Sequence, residues 1–186
     1  MNELDHVRSC WTVSPVDSLL SQEQADVTML RRAVDRIRGD KAPFLPGEEI
    51  YGLAAMDWWI KEIRKPQFQQ DDSAASVWNA SRCAVYSYAG ANRVASYLRR
   101  RMRSFPPDAH NHLKAVCEHY DRIALALAPF ALTEDGYSAI MGDVEKLNAH
   151  ARQVLQPVKE GLSAATSDLE NTLADIARQP VKGTVR

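Results

Sequence analysis

The chain has 186 residues and a mass of 20.8 kDa, with 45% hydrophobic and 25% charged residues, the size and composition of one folded domain. A formal net charge of −1 excludes the strongly basic balance of a general nucleic-acid binder and the acidic balance of a solvating tail. No window approaches the roughly eighteen uninterrupted apolar residues of a membrane span, and the opening MNELDHVRSCWTVSP has no apolar run of signal-peptide length.

Residues 1–20 read as an N-terminal arm, after which the apolar residues recur at helical spacing. The first helix is expected over Gln22–Arg38. Ser21 with Gln24 forms a capping-box pattern, Gly39 supplies the stop, and Val27, Leu30, Val34 and Ile37 make the apolar stripe opposite Arg31, Arg32, Arg36 and Arg38. Pro43, Pro46 and Gly47 mark a loop. A second helix, Glu48 to Lys65, presents Leu53, Met56, Trp59, Ile60 and Ile63 and ends at Pro66.

The third helix, Ser73 to Arg103, is the longest. Val77, Ser81, Ala84, Tyr88, Ala91, Ala95, Leu98 and Met102 alternate steps of three and four, and Pro106-Pro107 ends it. Helix four, Asp108 to Leu127, carries Leu113, Val116, Cys117, Tyr120, Ile123, Ala124 and Leu127. Helix five, Glu134 to Leu155, carries Tyr137, Ile140, Met141, Val144, Leu147, Ala151 and Val154. Pro157 kinks the chain or opens helix six, whose stripe is Val158, Leu162, Ala165, Leu169, Leu173 and Ile176. A second capping pattern, Ser167 with Glu170, offers a restart there, and residues 180–186 read as a frayed tail. No period-two run or hairpin turn signals a strand. The expected fold is a single all-α domain, a bundle of five or six mostly antiparallel helices around one long central helix.

Histidines are the first candidates for chemistry. His110, His112 and His119 lie on helix four near Asp108, Glu118 and Asp121, with His150 on helix five. Neither Glu-x-x-His in this region nor His-Glu-x-x-His occurs, so no metal is expected and the histidines read as solvated helix-face residues. Ser9-Cys10-Trp11 echoes the end of the papain nucleophile signature, with His150 downstream. The glycine and first cysteine of that signature are missing, and the strands of a papain fold are absent from the pattern. No nucleophile elbow, P-loop or dinucleotide fingerprint occurs, and no cofactor is expected. Cys10, Cys83 and Cys117 include no C-x-x-C pair, which fits a reducing cytoplasm, and Cys83 and Cys117 read as small core residues. Arg99-Arg100-Arg101 with Arg103 closes a helix, where cations interact favourably with the carbonyl end. A nucleic-acid partner would need these to join Arg31, Arg32 and Arg36 on one surface and is not expected.

Adjacent Trp58 and Trp59 cannot face the same way on a helix, so Trp59 joins the stripe and Trp58 points aside. Core packing is the plain reading of the tryptophans. The sharper one is a ligand pocket lined by Trp58, Trp78, Asn79, Arg82 and Asn92, because polar residues within a long helix are costly unless paired.

The segment Gly52-Leu53-Ala54-Ala55-Met56-Asp57-Trp58-Trp59-Ile60 resembles a G-L-x-A-Y-D-x-W-I segment of the helical domain that follows the papain-like domain in bacterial proteins similar to the butirosin-biosynthesis acyltransferase. Asn79-Ala80, Arg93 to Leu98 and Ala115 to Asp121 continue the similar layout, over about residues 30 to 155. Met56 departs from the family's aromatic. The resemblance implies a helical accessory domain without the papain-like part, and it brings no catalytic residue to carry over.

The expected function is a non-catalytic cytoplasmic helical domain that binds a partner protein, a second copy of itself or a small molecule. The alternative is an enzyme or enzyme subunit with a pocket between helices two, three and four. An enzyme should gather at least two titratable groups of shifted pKa in one pocket, whereas a binding module should expose an apolar patch on one helix face. Self-association is motivated by the two tryptophans of helix two and by the leucine line of helix six, which needs apolar cover.

Overall fold

Local capping chemistry sets the first helix. The computed structural model describes residues 21–39, 52–65, 73–133 and 135–178. In it Ser21 Oγ accepts the Gln24 amide at 3.2 Å, and Gln24 Oε1 accepts the Ser21 amide at 2.9 Å. Helix α1 (Gln22–Arg38) then runs to Gly39, whose φ of 86° is the left-handed stop that a glycine adopts without strain. Helix α2 (Gly52–Glu62) begins at a second left-handed glycine. A Cβ on Gly52 would lie 1.9 Å from the Ile37 carbonyl oxygen, so this position must be glycine for α2 to sit against the end of α1. The part of the expected second helix before residue 52 lies outside the described residues, as do the N-terminal arm, the loop at 40–51 and the tail.

Helix α3 (Ala74–Arg101) starts at Ser73, whose hydroxyl accepts the Ser76 amide, and its 28 residues make a rod of about 42 Å. Two 3₁₀ turns, Met102–Ser104 and Pro107–Ala109, lead into α4 (His110–Ala131). All seven residues of the stripe expected on helix four are buried. Small side chains, Ala80, Ala84, Ala91 and Ala95, form most of the buried face of α3 and allow close approach to α4. Tyr88 is only half-buried, because it lies at the edge of that narrow alanine face. The most enclosed helix is α4, which packs extensively against both α3 and the last helix, whereas α3 leans chiefly on α4.

The expected fifth helix begins late. Residues 135–142 form turns that end at Gly142 with φ 79°, and helix α5 (Val144–His150) starts only after Asp143, whose carboxylate accepts the amides of Glu145 and Lys146. Tyr137 and Met141 are buried from within those turns. A π turn, Ala151–Leu155, joins α5 to α6 (Gln156–Arg178), so the chain passes Pro157 without a break. The Gln156 amide reaches back to the Ala151 carbonyl, a wider loop that absorbs a proline lacking its own donor. The helix does not restart at Ser167: its hydroxyl, like those of Thr166 and Thr172, bonds back to the carbonyl four residues earlier instead of capping.

Helix α6 runs antiparallel to α4, since Ile123 meets Gly161, His119 meets Asp168 and His112 meets Asp175. The leucine line expected to need apolar cover, from its own bundle or from a second copy, is packed within the bundle. Leu169 is 1% exposed, with Leu162, Leu173 and Ile176 half-buried against the core. The described residues form an all-α bundle with no strand among them, and no helix is long and apolar enough to cross a membrane.

Asp26 closes the end of the bundle. Its carboxylate, on α1, accepts from Tyr97 Oη at 2.7 Å, Arg101 Nη2 at 2.7 Å and Nε at 3.2 Å, Ser104 Oγ at 3.1 Å and Gln22 Nε2 at 3.0 Å. Burial alone would raise its pKa, but these hydrogen bonds outweigh that and hold it at about 2.

Candidate functional site

The solvent face of α3 gathers three large apolar side chains in water, whereas the others exposed among the described residues, Met29, Trp58, Leu125, Leu132 and Val144, are spread over other segments. Trp78 is 59% and Tyr86 63% exposed, with Val85 beside them at 42%. Trp78, Arg82 and Tyr86 are four residues apart in turn, so they stack along one face. The Arg82 guanidinium lies 5.1 Å from the Trp78 ring centroid and 5.4 Å from that of Tyr86. Each cation–π contact at such an exposed site is worth about 0.5–1 kcal/mol, enough to order the rings without burying them.

Of the five residues expected to line a pocket, the structure brings two together, Trp78 and Arg82, and adds Tyr86, which sequence reasoning missed. A spacing of four, four on the solvent side of the alanine stripe was the signal for it. Asn79 is exposed on the same helix. Asn92 is half-buried, its amide donating to the Tyr88 carbonyl at 3.0 Å, about 21 Å along the axis from Trp78. Trp58 is 51% exposed on α2, whose main neighbours are α1, α6 and the π turn. The clefts beside Arg38 and Thr166, beside His119 and Gly161, and beside Met29 and Tyr97 are lined by none of these five residues.

The histidines are less solvated than expected. His112 Nδ1 lies 3.0 Å from Asp168 Oδ1, and His119 Nε2 lies 3.3 Å from Asp168 Oδ2, with Asp175 3.8 Å from His112 Nε2. The two rings grip opposite oxygens of one carboxylate instead of converging on a point, and among the described residues no group of three ligands is placed to hold a metal ion. His150 is 4% exposed, edge-on to Phe130 at 4.2 Å and 3.0 Å from Tyr137 Oη. Burial pushes its pKa down to about 4 and raises that of Tyr137, so both are neutral. These contacts join residues far apart in sequence, which is why helical spacing alone placed the histidines in water.

Cys83 corrects a further expectation: it is exposed on α3, whereas Cys117 is buried with its thiol toward the Ala95 carbonyl at 3.7 Å, and burial raises the Cys117 pKa. The arginine run at the end of α3 divides. Arg99 pairs with Asp121 and Arg101 with Asp26, while Arg100 points outward.

Chemically, Asp26, His150 and Tyr137, whose pKa values are shifted, are buried, whereas Cys83, its pKa raised, lies on the exposed face of α3. Asp26 is saturated by its donors, and the Tyr137–His150 pair lies under Trp59 and Phe130. Neither offers a proton to a ligand in a cleft. The α3 face, by contrast, offers rings, a guanidinium and an aliphatic side chain to whatever covers it. No protein-family model matches the chain, and no curated protein or solved structure shows significant similarity to it, so the resemblance of the Gly52–Ile60 segment stays an expectation.

Proposed function

We propose that the protein is a non-catalytic helical domain that binds a partner protein through the outer face of α3. The exposure of Trp78, Val85 and Tyr86 on one helix carries this reading. Covering a large apolar side chain is worth about 1.5–3 kcal/mol, so three on one stripe favour association. Trp, Tyr and Arg are also the residue types that dominate binding energy at protein interfaces. The unpaired thiols Cys83 and Cys117 support a cytoplasmic setting.

The competing enzyme reading has one observation in its favour. His119, oriented by Asp168, borders a cleft of about 330 Å³ between α4 and α6. The other ionisable residues of that cleft, Arg122 and Glu160, are exposed and its buried wall is apolar, Ile123 and Val158, so it encloses no acid–base pair.

Affinity capture from the native cell tests the proposal, comparing the wild-type chain with Trp78→Ala/Tyr86→Ala. A partner that the wild type retains, that the variant loses, and that rebinds when both are purified is the expected result. A partner held equally by both forms would move the interface elsewhere.

A further inference from the structure

The outer stripe of α3 does not end at Tyr86. Helix α3 contains no aspartate or glutamate over its 28 residues, yet it holds Arg82, Arg93, Arg99, Arg100 and Arg101. Arg99 and Arg101 are taken by Asp121 and Asp26. The rest follow the aromatic residues. Positions 78, 82, 86, 93 and 100 are separated by four, four, seven and seven residues, a spacing that keeps them on one face, and Arg103 follows in the 3₁₀ turn. Among the described residues no carboxylate pairs with Arg93, Arg100 or Arg103. The face is therefore polarised along its length: rings and Val85 at the start, unpaired guanidinium groups at the end, over about 38 Å.

We infer that the segment docking on α3 is an acidic amphipathic helix of the partner, with apolar residues laid on Trp78, Val85 and Tyr86 and carboxylates on Arg93, Arg100 and Arg103. The inference rests on the reading of α3 as a protein-docking face and names the chemistry of what docks there. Charge complementarity selects the partner. A helix laid along α3 presents side chains at the same axial rise, so one acidic face meets all three guanidinium groups. A single-stranded nucleic acid fits less well. A strand's bases repeat along its whole length and call for rings interleaved with the basic residues, whereas Trp78 and Tyr86 lie at one end of the stripe and Arg93, Arg100 and Arg103 at the other.

Fluorescence anisotropy on the full chain tests this with three labelled probes of matched length, about 25 residues or nucleotides. These are a helical peptide with leucines on one face and glutamates on the other, the same peptide with glutamine for glutamate, and oligo-dT. The glutamate peptide is expected to bind, to weaken as salt rises, and to bind about tenfold or more weakly to Arg93→Glu/Arg100→Glu. Circular dichroism shows whether that variant keeps its fold, and the single variants Arg93→Gln and Arg100→Gln repeat the test if it does not. Equal binding of both peptides, lost in Trp78→Ala/Tyr86→Ala, would overturn the acidic partner and leave the docking face standing. Oligo-dT binding more tightly than either peptide would assign the stripe to nucleic acid and overturn both readings. Binding by no probe would also overturn both.

Discussion

Asp26→Asn removes a charge that the end of the bundle is built around. The carboxylate is 1% exposed and accepts from four side chains, so the substitution leaves the Arg101 guanidinium without its counter-charge and replaces an acceptor oxygen by a donor nitrogen facing other donors. Its pKa of about 2, against an ordinary 3.8, at about 1.4 kcal/mol per unit gives an electrostatic contribution of about 2.5 kcal/mol. Arg101 is 31% exposed, so solvent screens the pair, and that figure is an upper bound that already contains the hydrogen bonds to the carboxylate. The asparagine nitrogen turned toward donors adds to it, and a total loss of about 2–4 kcal/mol at neutral pH is expected. The pH dependence has a definite sign. A depressed carboxylate pKa contributes stability that is complete above the unfolded value near 4 and is lost as pH falls toward 2. Urea unfolding of wild type and Asp26→Asn, followed by circular dichroism at pH 7, 5, 4 and 3, should therefore show a constant gap down to about pH 5 that narrows below it. A gap under about 0.5 kcal/mol at pH 7, or one that persists unchanged to pH 3, would refute the reasoning.

Other expectations follow from the same packing. His150, held neutral by burial with a pKa of about 4, should cost the protein stability as pH falls below about 6.5, by about 2 kcal/mol between pH 7 and 5, and His150→Phe should flatten that slope in the same urea series. Leu169→Asp buries an unpaired charge among core residues and should unfold the chain, by loss of its thermal transition, and not yield a folded form of altered oligomeric state. Gly52→Ala drives a methyl group into the Ile37 carbonyl and should lower thermal stability by several degrees or more. In a Cys10→Ser background, a thiol reagent should modify exposed Cys83 in the folded protein, slowly because burial of its thiol raises the pKa, and Cys117 only in denaturant.

The parts of the fold legible in sequence were those decided within one or two helical turns. Ser21, Gln24 and Gly39 set both ends of α1, and the stripe of α4 is buried residue for residue. The start of α5 was misplaced because Tyr137, Ile140 and Met141 keep helical spacing inside a segment that Gly142, at positive φ, turns back onto the core. Non-local pairing was out of reach. Nothing near Asp26 in sequence announces Arg101, 75 residues on, and nothing near His112 announces Asp168. The candidate site was half visible: Trp78 and Arg82 were singled out as residues to be enclosed, whereas the alanine stripe on the opposite side of α3 leaves them facing water.

Site-specific photo-crosslinking in the native cell tests the docking role of α3 most directly. A benzophenone side chain replaces Tyr86 in the aromatic part of the stripe or, as control, exposed Gln153 on the π turn. Position 86 should give a discrete crosslinked partner that position 153 does not give and that Trp78→Ala abolishes. No adduct from position 86, or the same adducts from both positions, would contradict it.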